Sequence, residues 1–194
     1  MLFRSMAFNI THFRSSFRNS EPASPTNYEV VVIRPPKLVN GRTINSGYVD
    51  VENNLKYRCV ACSLPGKMLN TSDRLTYGPN RKIVTNAIYQ DVIFTYIVSD
   101  NMDEKNYFSK WHDDIIDNVN DSASPSDVKY YDDYIGSVKI NQYSKEGGLP
   151  VLTIELEEAY PINVEEIPLS WDMNNDIVKI NVTMAYRIWK RTNL

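Results

Sequence analysis

Residues 147–159 read Gly-Gly-Leu-Pro-Val-Leu-Thr-Ile-Glu-Leu-Glu-Glu-Ala. From Val151 to Ala159 the pattern puts Leu152, Ile154 and Leu156 on one side and Thr153, Glu155 and Glu157 on the other. That is the period of two of a strand with one face against a core and one against water. Gly147-Gly148 in front supplies the residues a tight hairpin needs, so Tyr134 to Tyr143 upstream is its partner strand. Downstream, a loop through Pro161 leads to Ile167–Trp171, then a tight turn at Asp172–Asp176. A strand is expected from Ile177 to about Trp189, which at about 3.3 Å per residue reaches roughly 40 Å, longer than one domain of this size needs.

Working outward, Arg81 to Ser99 carries the next strong β signal. Val92, Phe94, Tyr96 and Val98 share one face and Ile93, Thr95 and Ile97 the other, and both faces read as covered. A single helix follows, to about Asn118: Asn101 is placed to cap it with Glu104 three residues on, and Tyr107, Phe108, Trp111, Ile115 and Ile116 make one apolar stripe. Asp121–Ser126 ends it. Before this region, Tyr28–Ile33 reads as a strand stopped by Pro35-Pro36, Lys37–Asn54 as a surface loop, and Leu55–Cys62 as a second strand ended by Leu64-Pro65-Gly66. Lys67–Asn80 reads as a long polar loop, of the kind that in a compact domain is functional or disordered. Trp111, Trp171 and Tyr186 are expected in the core.

The first residues differ in kind. Arg4, Arg14 and Arg18 among several serines, with no acidic residue before Glu21, have the composition of an organellar transit segment. The reading preferred here is an amphipathic docking arm, with Ile10, Phe13 and Phe17 at helical spacing, joined by the linker-like Ser20–Asn27. The division is therefore an arm and linker at 1–26 and a folded β domain at 27–194.

Composition narrows function. The 194 residues suit one domain, and a formal net charge of -3 argues against a face that grips phosphate backbones. No apolar run approaches the roughly 20 residues of a membrane helix, and no leucine-rich signal core appears near the start, so the reading is a soluble, cytoplasmic product. Four Asn-x-Ser/Thr matches, beginning at Asn9, Asn70, Asn120 and Asn181, carry no weight without a secretory signal.

The chemistry-bearing motifs also thin out. Cys59 and Cys62 form a Cys-x-x-Cys, but on a strand residues three apart face opposite ways, and no further Cys completes a zinc site. Two buried, inert thiols are expected; the rival reading is a thiol–disulfide oxidoreductase, for which Cys59→Ser abolishes exchange. Asp172-Met-Asn-Asn-Asp176 begins like a calcium loop, yet Ile177 stands where Gly belongs and Thr183 where the bidentate Glu belongs. Asp113, Asp114 and Asp117 read as the wet face of the helix. His112 has no assignable nucleophile. No catalytic residue, metal ligand or cofactor-binding residue is assigned, and the chain is read as a non-enzyme.

Several segments together carry a resemblance. Asn27-Tyr-Glu-Val30, Tyr57-Arg-Cys-Val-Ala-Cys-Ser-Leu-Pro-Gly66, the strand around Phe94 and the helix with Trp111 lead to Ile154-Glu-Leu-Glu-Glu-Ala-Tyr-Pro-Ile-Asn-Val164, Leu169-Ser-Trp-Asp-Met-Asn-Asn-Asp-Ile177 and Val182-Thr-Met-Ala-Tyr186. Over residues 27 to 190 the chain resembles the tail tube proteins of contractile-tailed, T-even-like bacteriophages. It departs from them in the longer arm and in the polar stretches Lys37–Asn54 and Ser122–Asp133.

The resemblance implies an antiparallel β-sandwich or barrel with one flanking helix, assembling into stacked hexameric rings. It implies a structural virion protein without cofactors, made in the host cytoplasm. Its partners would be further copies of itself, the tail sheath protein, baseplate initiator and tail terminator proteins, and phage DNA passing through the lumen without specific binding. The alternatives are a baseplate tube initiator or the inner tube of a contractile injection or secretion apparatus. Overlong strands with edges in need of partners fit such an assembly independently. The residues expected to meet neighbouring subunits are Phe13 and Phe17 in the arm and Lys67, Arg74, Tyr77 and Arg81 in the long loop.

Overall fold

The computed structural model describes residues 10, 14, 15, 17, 23–35, 47–75, 77–116, 128–145, 147–172 and 176–192, with the side chains of 47–49 left out. Phe13 and Asp117 lie outside the described residues.

The sheet is organised around a long ribbon. Strand β7, Pro150–Val164, is 15 residues long. Strands β8 (Lys179–Ala185) and β9 (Ile188–Thr192) run antiparallel along it, β8 beside its second half and β9 beside its first. On the other side of the first half of β7 lie β6 (Gly136–Tyr143) and then β1 (Tyr28–Ile33). Beyond β8 lie β5 (Val92–Ile97) and then β2 (Cys59–Cys62). The order β1-β6-β7-β8-β5-β2, with β9 also on β7, makes one seven-stranded antiparallel sheet whose end strands are not paired with each other. The architecture is an open sandwich of two halves sharing β7, and the closed-barrel form of the expectation is corrected.

The bend between the halves has a local cause. Glu158 adopts φ 55, and the β6–β7 register shifts at the same point, where Gly136 pairs with Ala159 and Ser137 with Glu157. An extra residue in one strand bends it and sharpens its twist. The opposite strand answers at Tyr186-Arg187, which separates β8 from β9, and Arg187 is tied there by its N–H to the Glu157 carbonyl at 3.1 Å and its guanidinium to Glu158 at 2.5 Å. The long strand expected from Ile177 is thus interrupted in the middle, and the unbroken one is β7. It continues through Pro161, where β6 has ended and the missing N–H deserts no partner. Ile167–Trp171, in contrast, forms no strand.

The strand faces agree with the alternation read from sequence. Ile154 and Leu156 of β7, Val92, Phe94 and Tyr96 of β5, Ile180, Val182 and Met184 of β8, and Val30, Val32, Val138 and Ile140 of the other half are buried in one cluster. Helix α2 (Asp103–Ile115) lays Tyr107, Phe108 and Trp111 onto it. The far face of β5 is only half covered, since Ile93 is exposed.

Three local readings are corrected. A second helix, α1 (Gly47–Arg58), stands where a loop and the start of a strand were expected. It packs against β1 and α2, burying Leu55, and Tyr107 Oη donates to Glu52 Oε1 at 2.9 Å. The cap of α2 is not Asn101: Met102 stands at the N-cap with φ 57, and Ser99 Oγ accepts the Asp103 N–H at 3.3 Å. Glu104 reaches back to Ser99, accepting from its N–H at 2.8 Å and its hydroxyl at 2.9 Å, and closes an ion pair with Arg58 of α1. Asp114 is not simply solvated either, because it pairs with Arg34 just after β1. A short turn, α3 (Tyr131–Tyr134), leads into β6 and accepts the Trp111 indole N–H at the Tyr134 carbonyl, 3.0 Å away.

Candidate assembly surface

The segment expected as a polar loop is ordered as a strand. Residues Lys67–Arg74 form β3, which pairs antiparallel with β4, Arg81–Tyr89, as a separate two-stranded sheet. Strand β4 lies within the Arg81–Ser99 segment read as β, but β3 was missed because neither face of it meets the core, so no alternation of apolar and polar residues marks it. The signal available was the β-branched run Ile83-Val84-Thr85 next to Met68-Leu69.

Its register sorts the side chains. One face carries Leu69 opposite Ala87, Thr71 opposite Val84, and Lys67 opposite Tyr89, with a bulge at Asn70/Thr71. The other carries Met68 opposite Ile88, Ser72 opposite Ile83, and Arg74 opposite Arg81. Leu69 is 52% exposed, Val84 53%, and Met68, Ile83 and Ile88 are also exposed. A lone hairpin is marginal in water, and here both faces offer apolar side chains to solvent. Arg74 and Arg81 face each other at the tip, a like-charge pair that is unfavourable until an anion joins it.

Lys67, Arg74, Tyr77 and Arg81 therefore all fall on this one projection, Tyr77 in the connecting turn and fully exposed. At the base, Lys67 Nζ lies 5.7 Å from the Tyr89 ring centre, and Tyr89 meets Tyr186 edge to face at 6.1 Å. Phe17 is not on the hairpin. It is 42% exposed, and its N–H reaches the Arg14 carbonyl at 3.3 Å.

A second exposed apolar group was missed altogether. Trp171, expected in the core, is 99% exposed, and Leu169 and Ile177 beside it are also out in solvent. The segment 165–170 after β7 has no ladder partner to turn these side chains inward. Trp111 is fully buried as expected, and Tyr186 packs partly buried against the core.

The remaining motifs take structural roles. His112 Nε2 lies 3.0 Å from the Pro161 carbonyl, which fastens α2 to β7. Burial would push the Glu104 carboxyl up, but the Ser99 and Arg58 bonds outweigh it and hold it below the usual carboxylate range. Among the described residues, no group of three or more His, Cys, Asp or Glu is placed to hold a metal, and no helix is long and apolar enough to cross a membrane.

Residues 23–192 match the family described as phage tail tube protein. The chain belongs to that family. As a tail tube protein it is a structural component of the phage tail and not an enzyme. Two relatives are the tail tube proteins gp19 of Enterobacteria phages T4 and T6. They are 26% and 25% identical over 140 residues, which span 71% of this chain and 82% of each relative. The tail tube fold is also shared with solved structures of low identity. A chain of the anti-feeding prophage baseplate, 6-fold symmetrised, superposes with TM-score 0.60 at 13% identity, covering 89% of this chain and 97% of the other. A chain of an extracellular contractile injection system, the PVC sheath-tube complex in the extended state, gives 0.59 at 13% identity, covering 93% and 97%.

Proposed function

We propose that this tail tube protein closes into hexameric rings that stack into the tube inside a contractile sheath. The β3–β4 hairpin is the element that joins one copy to the next. The observation that carries the reading is a two-stranded sheet with apolar side chains on both faces and no core of its own to cover them. Two neighbouring copies, one against each face, would bury Leu69 and Val84 on one side and Met68, Ile83 and Ile88 on the other. A carboxylate of a neighbour would relieve the facing Arg74 and Arg81. Tyr77 at the tip, and Phe13 and Phe17 in the arm at 1–26, complete the contacts around the body at 27–194. The ring number of six follows the family resemblance and is supported by the 6-fold symmetry of the anti-feeding prophage baseplate.

In this reading the subunit is made in the host cytoplasm and enters the virion by polymerising on a baseplate initiator. It is stopped by a terminator, clothed by the sheath, and passes DNA through its lumen. A net charge of -3 suits a channel that must not hold phosphate. Electron microscopy of the concentrated, negatively stained protein, with and without tail seeds, tests the reading. Long hollow tubes support the tube subunit. Rings that never elongate on seeds would instead point to the initiator, and absence of any ring would refute assembly as the function.

A further inference from the structure

The Cys59/Cys62 pair has a geometry its spacing does not suggest. In the β2–β5 ladder Cys59 pairs with Tyr96, Ala61 with Thr95 and Cys62 with Phe94, so the register shifts between Cys59 and Ala61 and Val60 is the extra residue. Phe94 and Tyr96 are two apart on one buried face of β5. Their partners therefore share a face too, and the argument that residues three apart point opposite ways fails at this bulge. Two ladder positions at ~3.3 Å per residue put the Cα atoms roughly 6.6 Å apart, at the upper end of the span a disulfide bridges, so closure draws the two ends of β2 slightly together. Cys59 Sγ donates to the Ala61 carbonyl at 3.5 Å, on the same strand.

We propose that Cys59 and Cys62 are a vicinal dithiol that closes to an intrastrand disulfide by exchange with a small-molecule disulfide, giving β2 a reduced and an oxidised form. The site lies on the end strand of the sheet, where Tyr28 of β1 reaches across the open seam to donate its hydroxyl to the Cys59 carbonyl at 3.1 Å. A cleft of about 690 Å³ lined by Cys59, Tyr28, Val60, Lys56 and Glu29 opens there, within the size range of small-molecule sites.

The division of labour follows from the surroundings of each sulfur. The interaction with Cys59 lowers the Cys62 thiol, while the same interaction, and then burial, raises Cys59. Cys62 as thiolate attacks one sulfur of the small disulfide, whose S–S bond breaks and releases the first small thiolate. Capping Cys62 removes the neighbouring thiolate that opposes ionisation of Cys59. Cys59 then gives its proton to solvent, attacks the Cys62 sulfur and expels the second small thiolate to solvent. The two cysteines are oxidised, the small disulfide is reduced to two thiols, and these take up the two protons.

The test uses the purified chain equilibrated with oxidised glutathione, quenched by alkylation and read by intact-mass spectrometry. The expected result is joint disappearance of both alkylatable thiols, with loss of two hydrogen atoms and no retained glutathione. Cys59→Ser should accumulate a stable glutathione adduct on Cys62, and Cys62→Ser should leave Cys59 alkylatable. Wild-type protein that keeps both thiols, stops at a single adduct, or forms covalent dimers on a non-reducing gel overturns the proposal, and this holds whether or not either variant folds.

Discussion

Replacing Leu69 and Val84 together by Ser should cripple polymerisation and leave the subunit folded. The two residues lie close together on one face of the hairpin, and each leaves about half its surface in water, at 52% and 53% exposure. Full burial of such a side chain is worth about 1.5–3 kcal/mol, so covering the remaining half in a neighbour contributes roughly 1 kcal/mol per residue and about 2 kcal/mol for the pair. At about 1.4 kcal/mol per factor of ten, the critical concentration for tube growth should rise roughly 30-fold. Because neither side chain enters the core, subunit stability should move by no more than about 0.5 kcal/mol. Pelleting of tubes against protein concentration reads the first quantity and denaturant unfolding of unassembled subunit the second. Tubes that form at the wild-type concentration would refute the role given to this face. A large loss of subunit stability would refute the claim that the hairpin stands clear of the core.

Glu104→Ala should cost about 3 kcal/mol in denaturant unfolding, since it strands the Ser99 donors and the half-buried Arg58, and Glu104→Gln roughly half that. Because the folded carboxyl titrates below its unfolded value, its contribution is present above the unfolded pKa of about 4.3 and disappears as pH falls through the lower folded value. Gly136→Ala should destabilise by about 3 kcal/mol or more, because its Cβ would sit 2.4 Å from the Ile33 carbonyl oxygen and 2.9 Å from the Trp111 ring; thermal unfolding reads this. Trp171→Ala should leave subunit stability within about 0.5 kcal/mol of wild type and remove the most acrylamide-quenchable part of the tryptophan emission, the signals of buried Trp111 and partly buried Trp189 surviving.

The parts of the fold legible in the sequence are those where one face meets a core. Leu152, Ile154 and Leu156 in β7 and Tyr107, Phe108 and Trp111 in α2 carry a period because burial selects every second residue, or every third and fourth. Helix α1 was hidden because its periodicity is weak: Leu55 is the residue it buries deeply, amid Asn53, Asn54, Lys56 and Tyr57, and Leu55–Cys62 carries enough β-formers to mimic a strand. Strand β3 escaped for the opposite reason, since both faces of its hairpin are wet in one subunit. Lys67, Arg74, Tyr77 and Arg81 were still singled out as candidates, because charge and aromatic character in a long connection do not depend on knowing its backbone. Trp171 was misplaced by size alone: bulk argues for burial only where the backbone turns the ring inward, and the path of 165–170 is set by the end of β7, far from anything its own residues announce. The bulge at Val60 was equally silent, and with it the common face of the two cysteines.

The continuity of β7 has a mechanical meaning. Tension applied along it loads its ladders to β6, β8 and β9 in shear, so many hydrogen bonds must fail at once, whereas a strand peeled from an edge loses them singly. With both halves of the sandwich hung on the same unbroken backbone, neither half can slip against the other without breaking this ribbon. A subunit so built resists tension along β7 as one unit.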